Sequence, residues 1–254
     1  MIYFGIPLRS KASSKNWDNV TKVFNRTLKS VYSQTDPDFK IYVACHDIPV
    51  LDEKYDDRVE FLISDKDTPK TKEEMMLDKG WKISMIAKRI REDGGGYIML
   101  VDSDDLVSNR IAEYVNSHPR CNGYLSRYGY VYNDGADYMQ KADNLHKLCG
   151  SCSIVYYAVE DLPDKMPDSF FDNSPVDQWV IRKAHCVIPD YLQEHGRELS
   201  TIPFPTTVYV RNTGDNHSMM DGNDFSWKRK IYFFLQSKIR ISGERGREFG
   251  IYKI

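Results

Sequence analysis

Short apolar runs alternate with helical repeats along the first half of the chain. The runs at 2–6, 39–45 and 59–63 have the length of buried strands, and polar or turn-forming residues follow each of them. Between 20 and 31 the apolar residues recur every three or four positions, which predicts an amphipathic helix, and a second helix is predicted over 72–92. The alternation predicts an α/β fold whose central sheet is mixed but mostly parallel and is flanked by helices.

A fourth apolar run, at 97–101, ends in three carboxylates within four residues. It follows the glycine triplet at 94–96, which is expected to end the second helix. In an extended chain Asp102 and Asp104 would share a face, because side chains at positions i and i+2 point the same way. Two converging carboxylates suit Mg²⁺ or Mn²⁺, whose remaining ligands often come from substrate phosphates. A solvated acidic turn, or a helix N-cap with excess charge, is the alternative interpretation.

Polar residues collect where the predicted strands end, which is where an open α/β sheet binds its ligands. Pro7 and Arg9 follow the first strand, Asp47 follows the second and Asp65 follows the third. These residues are candidates for contacts with a nucleotide base, a ribose or a phosphate, together with Lys82 in the second predicted helix. For Arg9 and Lys82 a surface salt bridge is an equally good interpretation.

The second half of the chain is less regular. A helix is predicted to begin at Ser108 as its N-cap, and a turn-rich loop at 166–177 leads into a further helix start. Strands are predicted at 123–132, 153–159 and 207–210, separated in part by a polar loop at 133–147.

Composition narrows the class of protein. The 254 residues are 41% hydrophobic and 28% charged, with a net charge of −2, which is typical of a globular protein and does not favour nucleic-acid binding. The five cysteines are scattered, and Cys149 and Cys152 are predicted to be buried thiols rather than a metal or redox pair. The absence of a signal-like or membrane-spanning apolar stretch leads us to expect a cytoplasmic protein.

The segment from 224 to 254 differs from the rest because basic and aromatic residues are interleaved along it. We predict a helical tail over this range. It either packs on the sheet with a solvated basic face or contacts the inner face of a membrane as a peripheral helix.

Four blocks of the sequence occur in an order that resembles the family 2 type of GT-A glycosyltransferase. They are the predicted helix end and second strand at 28–35 and 38–43, the acidic stretch with its strand at 95–105, and the segment at 177–182. The resemblance covers about residues 1–217. It implies a GT-A (Rossmann-like) single domain, which we place at 1–223, with a nucleotide-sugar-binding half at 1–110 and an acceptor half at 111–223.

The resemblance also implies a reaction, the transfer of a sugar from a nucleotide-diphosphate sugar to a hydroxyl of a glycan or lipid-linked acceptor. A UDP-sugar is our first choice of donor. Asp104 is then expected to hold Mn²⁺ or Mg²⁺, with Asp102 as a second ligand or on the ribose and Ser103 beside the donor. Asp177 is implied as the base of an inverting transfer, although it also suits a helix cap. His217 is implied as a metal ligand or diphosphate contact, although a loop histidine is often merely solvated.

Two departures from the family pattern concern the donor and the base. The family usually has Asp-Asp-Gly-Ser after the second strand, where this chain has residues 45–49, Cys-His-Asp-Ile-Pro. Val176 stands where the family usually has a glutamate before the aspartate. Asp105, the third acidic residue of the stretch, is expected to cap the following turn.

Two other functions compete with glycosyl transfer. A nucleotidyltransferase also uses carboxylates, a metal and a nucleotide, but it would be expected to carry a glycine-rich phosphate loop near the first strand, and 6–10 contains no glycine. A non-catalytic module that binds a sugar nucleotide or a glycan is the second alternative.

Overall fold

The computed structural model describes residues 1–167, 169, 179–213 and 237–251. Its larger sheet has seven strands, and four of them are parallel neighbours in the order 3-2-1-4. This is the strand order of a Rossmann-like half-sheet. The four strands are β1 Ile2–Pro7, β2 Phe39–Cys45, β3 Val59–Ile63 and β4 Gly96–Leu100.

Helices cover both faces of this sheet. The apolar side chains of α1, Trp17–Tyr32, pack with Ile2, Phe4 and Ile6 of β1 on one face. Those of α2, Lys72–Glu92, pack with Tyr3 of β1 on the other face. Alternate residues of one strand thus enter opposite layers, as the strand period of two requires. The predicted α/β fold, with a mixed but mostly parallel central sheet flanked by helices, is confirmed.

Three further strands complete the larger sheet beyond β4. They are β6 Gly123–Leu125, β9 Ser153–Tyr157 and β10 Ser200–Thr201. β9 lies next to β4 and runs antiparallel to it, β6 is antiparallel to β9, and β10 is parallel to β6. The remaining helices of the described chain are short: α3 Ile111–Ser117, α4 Ile188–Glu194 and α5 Gly243–Phe249.

A second sheet of five strands lies where the chain leaves the acidic stretch. The strands are β5 Leu106–Val107, β7 Gly129–Asn133, β8 Tyr138–Ala142, β11 Thr207–Arg211 and β12 Lys238–Arg240. Their order in the sheet is β12-β8-β7-β11-β5. β5 directly follows Asp105, so the acidic stretch joins the two sheets.

Several predicted elements in the second half differ from the structure. The strand predicted at 123–132 is two strands, β6 and β7, which belong to different sheets. The loop predicted at 133–147 contains β8, which pairs with β7 and β12. α3 begins at Ile111 with Arg110 as its N-cap, so the predicted N-cap Ser108 lies before the helix, where its hydroxyl donates to Glu248 and accepts from the N–H of Arg110. After Trp179 the chain forms only a short 3-10 helix, Val180–Arg182.

The described part of the predicted helical tail, 237–251, consists of β12 followed by α5 rather than of one helix. Phe249 and Ile251 are buried in an apolar cluster with Leu106 of β5 and Tyr130 of β7. This part of the tail packs on the second sheet. Within the described ranges no helix combines the length and apolar character needed to cross a membrane.

Candidate functional site

A cavity of about 340 Å³ opens where β1 and β4 end. Its walls include Pro7 and Arg9 at and after the end of β1, residues 102–104 after β4, one face of α2 and the loop at 148–150. The carboxyl ends of parallel strands therefore border the cavity, as the sheet topology predicts.

The acidic stretch is a β-turn in which the backbone N–H of Asp105 donates to the carbonyl of Asp102 at 3.0 Å. The expectation of an extended backbone there is wrong, although Asp102 and Asp104 both line the cavity. The neighbouring carbonyl of Ser103 accepts a hydrogen bond from the Thr27 hydroxyl of α1 at 3.1 Å. The turn is thus tied to the helix on its other side.

Asp105 does not cap the following turn, and that prediction is wrong. Its buried carboxylate accepts hydrogen bonds from the Ser151 hydroxyl at 2.7 Å, the Cys149 thiol at 2.9 Å and the Val210 N–H at 3.2 Å. Burial, with the negative charges of Asp104 and Asp102, raises the pKa of Asp105 well above its usual range. Asp105 anchors the acidic turn to the second sheet.

The Asp102 carboxylate is held between a lysine and a glycine. Its Oδ1 lies 2.5 Å from Nζ of Lys79 on α2. A Cβ added to Gly150 would come within 2.6 Å of its Oδ2, so only a glycine leaves room for the carboxylate there. The backbone N–H of Asp102 donates to the Ser151 hydroxyl at 2.8 Å. One serine therefore positions both Asp102 and Asp105.

Asp104 accepts a hydrogen bond from the Thr213 hydroxyl at 3.3 Å. Burial and the charge of Asp102 raise the pKa of Asp104 to about 6, although the positive charge of Lys79 opposes the change. Two carboxylates beside an open cavity, one of them with a pKa raised by the charge of the other, are an oxygen donor set suited to a hard divalent cation. The described part of the chain contains no cluster of three His, Cys, Asp or Glu residues arranged to hold a metal. The remaining ligands of a cation here would come from a substrate or from solvent.

The predicted site residue Lys82, on α2, is buried in the wall of the cavity. Lys82 is 1% exposed, and its ammonium donates to the carbonyl of Leu8 at 2.7 Å and to Asp78 at 2.6 Å. The alternative of a surface salt bridge for Lys82 is therefore wrong, because the pair is buried in the cavity wall. Burial lowers the pKa of Lys82 even though Asp78 opposes that change. Lys82 fixes the end of β1 to α2.

The remaining predicted site residues have different outcomes. The carboxylate of Asp47 accepts from the backbone N–H of Lys11 at 2.8 Å, and Asp65 is exposed; neither lines the cavity. The structure therefore does not bring these two residues into the site. Asp177 and His217 lie outside the described residues, so their roles stay predictions.

Cys149 and Cys152 are buried free thiols, as predicted. Burial raises the pKa of both, that of Cys152 to about 12. Neither thiol is a ready nucleophile or metal ligand in this state.

Sequence reasoning missed several residues of the cavity wall, notably Lys79, Gly150, His185 and Thr213. His185 is the clearest case. Burial lowers the pKa of its imidazole, with the charge of Asp102 opposing, so the neutral form is favoured. It lies in no recognisable pattern, and a lone histidine carries no signal that would separate it from a surface residue.

No protein-family model and no curated protein sequence matches this chain. Solved structures do match it at low identity. TarS of S. aureus shares 13% identity at a TM-score of 0.44, over 92% of this chain and 42% of that one. A Bacillus anthracis protein described as a glucose-1-phosphate thymidylyltransferase shares 11% at 0.40, over 89% and 97%. A Desulfovibrio desulfuricans protein described as a nucleotide-diphospho-sugar transferase shares 9% at 0.35, over 90% of each chain.

This chain thus spans less than half the length of the TarS structure. At these identities and scores the matches carry no conclusion about activity or substrate.

Proposed function

We propose that this protein is a metal-dependent, inverting glycosyltransferase that moves a sugar from a nucleotide-diphosphate sugar to a hydroxyl of a glycan or lipid-linked acceptor. The observation that carries the proposal is the cavity at the carboxyl ends of β1 and β4, where two carboxylates of one turn lie beside Lys79 of α2, with Arg9 also in the cavity wall. A diphosphate needs both a cation and positive side chains around it, and this wall offers the groups for each.

Asp102 and Asp104 would hold Mn²⁺ or Mg²⁺ in this scheme. When bound, the cation supplies positive charge that offsets the negative charge building up on the departing diphosphate. Asp105, Ser151 and Gly150 act indirectly, because they fix the turn and leave space for the Asp102 carboxylate. Such supporting contacts commonly decide the affinity of a metal site.

The donor would lie against the end of β1. Pro7, Leu8 and Arg9 border the cavity, and apolar side chains of α1, Val20 and Val23, form part of its wall. This combination of apolar surface with a few polar groups is typical of small-ligand sites. A UDP-sugar remains our first choice of donor, and Arg9 and Ser103 are the proposed additional contacts.

Direct displacement at the anomeric carbon requires a base that takes the proton of the acceptor hydroxyl. Asp177 is our candidate from the sequence resemblance. His185 is a second candidate, supported by its place in the cavity wall and by a lowered pKa that leaves the imidazole free to accept a proton near neutral pH. Separate Asp177→Asn and His185→Gln variants distinguish the two, because only loss of the true base should abolish turnover while donor binding is retained.

The proposal is tested by a thermal-shift panel of UDP, GDP, dTDP and CMP, each with and without Mn²⁺. We expect one nucleoside diphosphate to stabilise the protein, and to do so mainly when Mn²⁺ is present. Asp104→Ala should abolish the Mn²⁺-dependent part. Asp57→Ala, which removes an exposed carboxylate outside the cavity wall, should leave the shifts unchanged.

The same reagents separate the competing functions. Release of the nucleoside diphosphate from a sugar donor, lost in Asp104→Ala, supports a transferase. Binding without turnover with any sugar acceptor supports a non-catalytic module, and pyrophosphate release from a nucleoside triphosphate supports a nucleotidyltransferase. No response to any nucleotide, with or without Mn²⁺, would contradict the proposal.

A further inference from the structure

The ion pair between Lys79 and Asp102 occupies the position where the proposed function requires a divalent cation. The two side chains are 39% and 32% exposed and both line the cavity, so the pair faces the space that a ligand would enter. Each partner is therefore within reach of a ligand that would replace it.

The partners differ in how freely they can move. The backbone of Asp102 is held by its N–H bond to Ser151, and its short side chain is bounded on one side by Gly150. Lys79 reaches Asp102 from the third turn of α2 through a flexible four-carbon chain, so it can turn to another anion in the cavity without a change in the backbone. The ammonium is the partner that can leave.

Electrostatics then link two binding events. A divalent cation that binds Asp102 takes the place of the Lys79 ammonium, which lies 2.5 Å from Asp102 Oδ1. The cation and the ammonium repel each other when both are beside this carboxylate. A diphosphate in the cavity would offset this repulsion, because it offers the displaced ammonium of Lys79 a new anionic partner and also ligates the cation. Without the diphosphate the ammonium competes with the metal.

We propose that Lys79 makes divalent-cation binding and diphosphate binding mutually dependent, by pairing with Asp102 in the free protein and with the diphosphate in the complex. This inference rests on the proposed function. It assigns Lys79 as a residue that contacts the leaving group, and it predicts that metal alone binds poorly. Because such coupling is reciprocal, each ligand must raise the affinity for the other by the same factor.

The test compares Lys79→Met with the wild type, because methionine keeps an unbranched chain and removes the charge. Free Mn²⁺ is followed by electron paramagnetic resonance, and UDP (or the diphosphate chosen by the thermal-shift panel) by calorimetry. Each ligand is titrated alone and in the presence of the other. Lys88→Met is the matched control, since Lys88 lies on the same helix and pairs with Glu92 on the surface.

We expect Lys79→Met to bind Mn²⁺ alone about tenfold more tightly than the wild type, and to bind the diphosphate without Mn²⁺ about tenfold more weakly. The factor by which each ligand helps the other should fall accordingly. Lys88→Met should match the wild type in every titration.

Unchanged affinities in Lys79→Met, in a wild-type protein that binds Mn²⁺ and the diphosphate together, would overturn the coupling and leave the proposed function standing. A wild type that binds neither ligand in any combination would overturn both.

Discussion

At the residue scale, three carboxylates in four positions do different work because their surroundings differ. Asp105 is enclosed and receives donors from a hydroxyl, a thiol and a backbone amide, so it anchors the turn. Asp102 and Asp104 line the cavity, where Asp102 pairs with the Lys79 ammonium and Asp104 accepts a hydrogen bond from the Thr213 hydroxyl. Burial and hydrogen-bond supply, rather than residue type, separate an anchor from a candidate ligand.

Gly150→Ala tests whether space beside Asp102 matters for binding. Its Cβ would meet Asp102 Oδ2 at 2.6 Å and push the carboxylate aside. We expect the Mn²⁺-dependent affinity for the nucleoside diphosphate to fall about tenfold, as for other changes that disturb the support of a metal ligand. Calorimetric titration measures it. Gly243→Ala, with its nearest neighbour at 3.6 Å, is the control, and equal affinities for the two variants would contradict the role of Gly150.

A second residue-scale prediction concerns Asp93, which directly follows α2. Its carboxylate accepts from Lys40 at 2.9 Å, Arg89 at 2.6 Å and the Tyr42 hydroxyl. Burial opposes ionisation, but these hydrogen bonds outweigh it and hold the pKa of Asp93 below its usual range. A lowered carboxyl pKa means stabilisation that is present above about pH 4 and is lost as the pH falls through the folded-state value.

Asp93→Asn should therefore lower the free energy of unfolding by about 1–2 kcal/mol at pH 7. The difference from the wild type should shrink as the pH falls below about 4. Urea unfolding at a series of pH values measures it, with the exposed Asp57→Asn as control. A difference that does not change with pH would contradict the ionic origin of the stabilisation.

At the element scale, side chains at and just after the C-terminal end of α1 join it to the segment that follows the acidic turn. The buried amide of Gln34 donates to the carbonyl of Ser108 at 3.0 Å and accepts from the N–H of Ala112 at 2.9 Å. The Ser30 hydroxyl accepts from the N–H of Val107 at 3.2 Å. Ser30 and Gln34, which both lie in the 28–35 block of the resemblance, thus have a structural role here, because they join the end of α1 to β5 and α3.

Gln34→Leu should cost about 2 kcal/mol of unfolding free energy, because it leaves the buried N–H of Ala112 without its partner and removes one of two donors to the Ser108 carbonyl. Ser33→Ala, one residue earlier and exposed, should cost less than about 0.5 kcal/mol. Urea denaturation of both variants measures the difference. Similar midpoints for the two would show that the Gln34 hydrogen bonds contribute little.

At the scale of the whole molecule, the second sheet closes around the end of the described chain. The Phe249 ring is 1% exposed and meets the Tyr130 ring edge-on, with 5.7 Å between centroids. Glu248 accepts from the Ser108 hydroxyl and, through its carbonyl, from the N–H of Asn109. α5 therefore holds the segment that directly follows β5.

Phe249→Ala should lower the free energy of unfolding by about 3–5 kcal/mol, whereas Phe249→Leu should cost about 1 kcal/mol because it leaves a smaller cavity. Denaturant unfolding distinguishes them. Two variants as stable as the wild type would contradict the packing of α5 and would revive the alternative of a tail free to meet a membrane.

The sequence by itself determined the α/β class, the four parallel strands, the two long helices and the position of the acidic stretch. The length of an apolar run and the spacing of apolar residues indicate locally whether a segment is a strand or a helix, so these predictions needed no long-range information. Short strands without a clear apolar pattern, such as β8, were not predicted, because pairing with neighbouring strands rather than their own sequence makes them strands.

Only the tertiary structure decided what surrounds the carboxylates. Lys79 and Ser151 both contact Asp102, although they are 23 and 49 positions away from it in the sequence. Both contacts depend on how α2 and the loop at 148–152 pack against the sheet. Periodicity specifies a face but not the residue that will lie opposite it. The partners of a site are fixed by packing, which is why Lys79, Gly150 and His185 could not be found from the sequence.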